Sequence, residues 1–403
     1  MNVVKYIFIF FCLCPIGILF AQQPSAKYKR CSAKTLNYEQ GLLNNATTDV
    51  ITDANGFTWF STVIGMQRYN GYNFEQINPV VDGKILAINS PVHFFELDNK
   101  NIWISCPQGV LEYCASTNTF KKIISSTISP DVDYAIIPVY QTGVEIYCFQ
   151  KEKGIVVYNK DGKFIKQVFN VAKKLDSLVY TGQFLFNSPT TKNNNYFFIL
   201  GSGKLIMRLD IKNKRWDDFV FNDDLLSITC TENKLFILSR SALSFVLLSK
   251  MNEHHLTPGK SIKMNTSSGR LILGNKNQLL VGNANRLLEF DTSLSEKKEF
   301  ITLARKPVVS TGFIHHIYTD TFGRIWLLTN DDVKRIENAP VTFENFIYPN
   351  EGDNFIRSIY YDLQKHLLLA GGYEGLIQLY DTLANPLWPK PLSEAEAGYI
   401  LSI

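Results

Sequence analysis

Residues 53–74 read "DANGFTWFSTVIGMQRYNGYNF", and residues 320–343 read "DTFGRIWLLTNDDVKRIENAPVTF". Asp53, Gly56, Trp59 and Thr62 stand at the same relative places as Asp320, Gly323, Trp326 and Thr329. Trp103, in "NIWISCPQGVLEYC", follows Trp59 by roughly 44 residues, a spacing typical of propeller blades. Weaker copies begin at Ile146, Tyr196, Leu235, Arg270 and Ile359, the last with Asp362 at the place of Asp53.

Each copy has one internal grammar. An apolar strand ends in Asp, a turn with Gly or a polar residue follows, and a second strand begins near Trp. A further turn leads to "MQRYN", "VLEYC", "IVVYN" or "LIQLYD", and a last strand such as "NFEQI" or "TFENF" closes the unit. Four short strands with tight turns make one antiparallel sheet. Helical periodicity is absent after the leader, which disfavours helical solenoids of similar period.

The recurring residues read as structural. A lone four-stranded sheet cannot bury both faces, whereas ringed sheets bury each face against the next. Trp59, Trp103 and Trp326 are expected to wedge between sheets. Gly56 and Gly323 are expected to permit a turn that a side chain would strain. Asp53, Asp320 and Asp362 are expected to hold the turn backbone by hydrogen bonds. Thr62 and Thr329 complete the repeat positions. Calcium ligation by the aspartates is the alternative, and the lack of acidic neighbours disfavours it.

The expected fold is therefore all-β: a seven-bladed propeller of four-stranded blades over residues 35–346. Residues 347–403 would begin a second, incomplete propeller. "TLNY" at 35–38 is read as the outer strand that pins the ring shut. "FENF" at 343–346 is the competing closing strand, and the sequence leaves the choice open. The chain stops at "YILSI", which echoes "FIRSI" at 355–359 and marks the start of another copy, as in a fragment or a truncated frame.

Composition narrows the classes further. Hydrophobic residues make 45% of the 403-residue chain and charged residues 19%, enough apolar material for a sizeable core. The net charge of +4 is small and no basic block stands out, so nucleic acid is not an expected partner. "MNVVK", then the uncharged run "YIFIFFCLCPIGILFA", then "AQQPS" forms a secretory leader with cleavage expected after Ala21. The apolar run is short for a membrane span and contains Pro15. Five cysteines remain beyond it: Cys31, Cys106, Cys114, Cys148 and Cys230. Their wide spacing implies no disulfide framework, though one bridge is allowed, and Cys106 and Cys114 read as buried thiols.

Residues 41–74, "GLLNNATTDVITDANGFTWFSTVIGMQRYNGYNF", resemble the two-component regulator propeller repeat of periplasmic sensors of the Bacteroidetes type. Gly41, Leu42, Asn45, Asp53, Gly56, Trp59, Thr62, Gly65, Arg68, Tyr69 and Gly71 fit that pattern. Ser61, Met66 and Asn70 depart from it. The resemblance implies a periplasmic sensor module that binds a ligand, often a glycan fragment, without chemistry of its own. It also implies two rings followed by a β-sandwich, a membrane helix and a kinase or DNA-binding output, and these later parts are not among the given residues. A homodimer would form through such parts, and membrane contact would come only through the leader or that helix.

Two rival readings stay open: a secreted propeller enzyme acting on polysaccharide, and a truncated remnant with no signalling role. No phosphate-binding Gly loop or nucleophile elbow is present. The pairs His254-His255 and His315-His316 suggest a metal, but neighbouring strand residues point to opposite faces. The acidic pairs at 217–218, 223–224 and 331–332 are candidate glycosidase carboxylates, better explained as turn or solvated residues. No catalytic residue, metal ligand or cofactor is assigned, and the ligand-binding residues are unknown at this stage. Loops at one end of the ring, for instance "NSPTTKNNN" at 187–195, are the expected place for specificity.

Overall fold

The computed structural model describes residues 28–125, 136–150, 153–169, 196–337 and 356–380, with short gaps inside the last two ranges. The leader, "FENF", His254-His255 and "NSPTTKNNN" lie outside the described residues. The chain divides into two compact units, Met1–Asn338 and Ala339–Ile403.

Strand β1 is Tyr28–Leu36. The first sheet holds β2 (Thr47–Thr52), β3 (Thr58–Thr62), β4 (Gly65–Tyr69) and β5 (Phe74–Gln76). A short ribbon follows, β6 (Val80–Val81) and β7 (Lys84–Ile85). The next sheet is β8 (His93–Glu96), β9 (Ile102–Cys106), β10 (Gly109–Cys114) and β11 (Thr119–Ser125). Then come β12 (Ile136–Thr142), β13 (Glu145–Gln150), β14 (Gly154–Asn159) and β15 (Phe164–Phe169). A sheet of three described strands has β16 (Tyr196–Leu200), β17 (Leu205–Asp210) and β18 (Arg215–Val220). Four strands again form the next: β19 (Leu225–Cys230), β20 (Lys234–Ser239), β21 (Ala242–Leu247) and β22 (Lys260–Lys263). The first unit ends with β23 (Gly269–Leu273), β24 (Leu279–Asn283), β25 (Arg286–Phe290), β26 (Lys297–Thr302), β27 (Ile314–Thr319), β28 (Ile325–Thr329) and β29 (Val333–Glu337).

The all-β propeller stands, but the expected seven separate four-stranded blades do not. Among the described residues the first unit has five separate blade sheets and one continuous eight-stranded sheet, ordered β23-β24-β25-β26-β1-β29-β28-β27. The cause is β1, which uses both of its edges. Tyr28 to Cys31 run parallel to β26, from Tyr28 opposite Glu299 to Cys31 opposite Thr302. Ser32 to Leu36 then run antiparallel to β29, from Ser32 opposite Glu337 to Leu36 opposite Val333. One strand whose first half pairs with β26 and whose second half pairs with β29 joins two repeat copies into one sheet. Thr35 and Leu36 of "TLNY" therefore pair as the outer strand beside β29, while Asn37 caps the 3-10 turn Tyr38–Gln40.

Apolar layers run from sheet to sheet. Trp59 and Met66 pack on Phe94, Ile104 and Tyr113 of the next sheet. Trp103 packs with Ile136, Ile146 and Val156. Trp326 meets Leu36, Phe60 and Tyr69, joining the last strands of the unit to the first sheet. The three indoles are between 0% and 1% exposed.

The turn before each Trp explains why the phrase recurs. Asp53 Oδ1 accepts the N–H of Asn55 (2.9 Å) and of Phe57 (3.0 Å), and Oδ2 accepts Trp59 Nε1 (2.8 Å). Asp320 does the same for Phe322, Arg324 and Trp326, each at 3.0 Å, and also accepts Arg324 Nε at 2.6 Å. Gly56 and Gly323 occupy the left-handed region at φ 87° and 78°. In the second copy Leu97 replaces the Asp. The backbone turn survives, with Lys100 forced to φ 69°, but Trp103 Nε1 is buried without a hydrogen-bond partner. Thr62 and Thr329 lock the following turn, donating to the Gly65 and Asp332 carbonyls.

The second unit has one described sheet, β30 (Ile356–Asp362), β31 (Leu367–Gly372) and β32 (Ile377–Tyr380). Asp362 ends β30 opposite Leu367.

Candidate functional site

The first strands of successive repeat copies meet one another: β23 with β27, β27 with β2, β2 with β8 and β8 with β12. They form the inner edges of the ring. The position four residues before the turn is occupied by Arg270, His316, Asp49 and His93 in four of these strands. Three of those residues were not singled out by sequence reasoning, although their spacing is regular. Each precedes by four the residue that closes the same backbone turn: Gly274, Asp320, Asp53 and Leu97.

These side chains reach from strand to strand around the axis. Asp49 Oδ2 lies 2.8 Å from His93 Nδ1 and accepts the Phe94 N–H at 2.9 Å. Its Oδ1 accepts the Val50 N–H at 2.8 Å and lies 3.8 Å from His316 Nε2. Burial pushes the Asp49 carboxyl up, yet the His93 charge and hydrogen bond, His316 and the Phe94 N–H outweigh it and hold the pKa below the usual range. Burial lowers the His316 pKa; Asp49 works against this, and the nearby Arg270 and His93 add to it. Arg270 donates Nε to the His315 carbonyl. Burial pushes its guanidinium down to about 10.

The adjacent His315 and His316 diverge as strand geometry requires. His315 Nε2 faces the Thr329 carbonyl at 3.2 Å on one side, and His316 faces Asp49 on the other. Among the described residues no group of three or more His, Cys, Asp or Glu is placed to hold a metal ion. The acidic pairs are engaged locally. Asp217 binds Arg208 and Arg215, both at 2.7 Å, Asp223 accepts the Ser241 N–H at 2.8 Å, and Asp332 accepts the Thr329 hydroxyl at 2.9 Å. Cys31, Cys106, Cys114 and Cys148 are free thiols; Cys106 is buried, whereas Cys114, read as a buried thiol, is only half-buried. A shallow cleft lined by Phe57, Arg68 and Phe74 is a lesser candidate, because Arg68 is already bound to Glu75 (2.7 Å) and Asn118 (2.7 Å).

The axial histidines carry a pH expectation. Burial first, then His316 and Arg270, lower the His315 pKa from 6.5 to about 4, against the Thr329 carbonyl, which raises it. A histidine kept neutral by folding takes up its proton more readily when unfolded. Its contribution is complete above pH 6.5 and is lost as pH falls towards 4. The loss is up to about 3 kcal/mol, reduced by whatever solvent reaches the ring. Melting temperatures measured between pH 7 and 4 are expected to fall through this window. His315→Gln, which can keep the Thr329 contact, is expected to flatten the slope; an unchanged slope would refute the assignment.

No family model and no curated protein matches the chain. Among solved structures, it is similar to the extracellular domain assigned to a hybrid two-component system of B. thetaiotaomicron. That match has a TM-score of 0.61 and 19% identity, covering 92% of this chain and 50% of the other. A second extracellular domain from the same organism, assigned to a one-component system, gives a TM-score of 0.53 and 15% identity, covering 90% of this chain and 47% of the other. Streptogramin B lyase gives 0.53 and 9% identity, covering 78% of this chain and 99% of the lyase. At these identities the likeness is one of fold, and the chain spans about half the length of the two extracellular domains.

Proposed function

We propose that this chain is the exported propeller region of a two-component sensor, acting by binding a ligand rather than by transforming it. The observation that carries the reading is the match of fold to two extracellular sensor-type domains over 90% or more of the chain. The leader at residues 1–21 and the regulator-type repeat at residues 41–74 support it. A periplasmic location and a glycan-fragment ligand follow from the same resemblance. Among the described residues no helix is long and apolar enough to cross a membrane. The axial strands, which carry charged and titratable groups on rigid elements, are the proposed binding region.

The lyase match keeps an enzyme as the rival. The test is incubation of the mature chain with a panel of neutral and acidic oligosaccharides, followed by calorimetry and product analysis. Saturable binding with the ligand recovered intact is expected. New reducing ends or unsaturated products would replace the sensor reading with an enzymatic one.

A further inference from the structure

The polar position on the inner strands normally satisfies itself against the next sheet. The Ser227 hydroxyl accepts the Leu271 N–H at 3.1 Å and donates to the Leu271 carbonyl at 3.3 Å. Asp49 accepts the Phe94 N–H in the corresponding place and is further matched by His93. Both are closed interactions between neighbouring sheets. Arg270 breaks the pattern. It carries a positive charge and five donors, and among the described residues its hydrogen bond is the one from Nε to the His315 carbonyl.

The titratable neighbours of Arg270 do not balance its charge. His315 and His316 lie on β27, the strand that Arg270 faces, and its charge adds to the burial that lowers the pKa of both. Asp49, on the strand beyond, is occupied by His93 and two backbone N–H groups. Among the described residues no carboxylate forms an ion pair with Arg270. The side chain is half-buried, on a strand that packs against β27. Enclosed cations in proteins are paired, because an unpaired charge removed from water is costly. A planar guanidinium is matched by an oxyanion with two acceptor oxygens.

We infer that Arg270, beside His315 and His316 at the inner edges of β23 and β27, is the anchor for an oxyanion group, a carboxylate or a sulfate, of a bound ligand. This deepens the reading of the chain as a binding module and rests on it. The anion completes the guanidinium fork that the protein leaves open. It also offsets the positive charge that adds to burial in keeping both histidines neutral, so their protonation is coupled to its binding.

The probes are sodium glucuronate and sodium sulfate, compared with glucose and with sodium chloride at equal ionic strength, on the mature chain. Expected are a saturable rise in melting temperature with at least one of the two anions and none with glucose. The carboxylate and sulfate arms distinguish the two sources of the group. Arg270→Gln is expected to weaken the effect at least tenfold. In chloride alone that variant should melt no lower than wild type, since an unpaired enclosed cation has been removed. NMR of the His315 ring should show its pKa rising when the anion binds wild type and unmoved in Arg270→Gln. Equal anion response in wild type and variant overturns the inference. So does a variant that melts lower in chloride while wild type binds neither anion, which would make Arg270 a structural clip to the His315 carbonyl. Binding of neutral oligosaccharides alone overturns the inference and leaves the sensor reading standing; binding of nothing in either panel overturns both.

Discussion

Trp326→Ala is expected to destabilise the first unit by about 4 kcal/mol, the scale of emptying a buried indole site. Trp326 is fully buried and sits where the last strands of the unit meet the first sheet. Its ring lies 5.5 Å from Phe60 and 6.5 Å from Tyr69, both edge-on, and packs on Leu36 of β1. Its Nε1 donates to Asp320 Oδ2 at 3.0 Å. Truncation therefore opens the closing layer and removes a donor from a carboxylate that is itself 0% exposed. Trp326→Phe keeps most of the ring and loses the N–H, for an expected cost of about 1–3 kcal/mol. Trp103 provides the internal control, because its indole N–H has no partner to lose. Trp103→Phe should be milder than Trp326→Phe by about 1 kcal/mol or more. Urea unfolding of the three variants measures the series. Equal costs for the two Phe variants would show that the Asp–indole bond contributes nothing.

Removal of residues up to Leu36, so that the mature chain starts at Asn37, should have the larger effect. The deletion strips β1 from the centre of the eight-stranded sheet and leaves β26 and β29 with open edges. It also removes Cys31 and Leu36, each 1% exposed; a buried side chain of this size contributes about 2–5 kcal/mol when fully packed. The Lys29–Glu289 ion pair at 2.7 Å is lost as well. Open edges invite pairing with other chains, so aggregation is expected to accompany the loss of stability. Ala33→Pro is the gentler form of the same test. Ala33 lies opposite Ile336, and proline there disturbs β1 in the stretch that pairs with β29. A truncated chain that stays monomeric with an unchanged melting temperature would show that β1 is not what closes the ring.

The repeat was legible because it is local. Asp53, Gly56 and Trp59 act within one turn, through bonds spanning six residues or fewer, so their spacing in the sequence is their spacing in space. The second copy shows the same logic by exception: Leu97 keeps the turn and orphans the indole. The axial groups were harder to see, because Asp49 and His93 look like ordinary strand residues. Their significance comes from partners on neighbouring strands, such as the His316 contact from the far end of the unit. Their regular position, four residues before the turn, was the signal available.

Composition and periodicity by themselves determined an all-β propeller built on Asp, Gly and Trp, because short-range hydrogen bonds and alternating burial write themselves into residue order. Only the tertiary structure decided how many sheets those copies make. Strand pairing is a choice of edges, and β1 takes one edge from β26 and the other from β29, residues separated from it by most of the chain. The same closure brings Arg270, His316, Asp49 and His93 to adjoining inner strands, and among the described residues no carboxylate pairs with the arginine. Charge balance in an enclosed space depends on which strands become neighbours, and that is set only when the ring shuts.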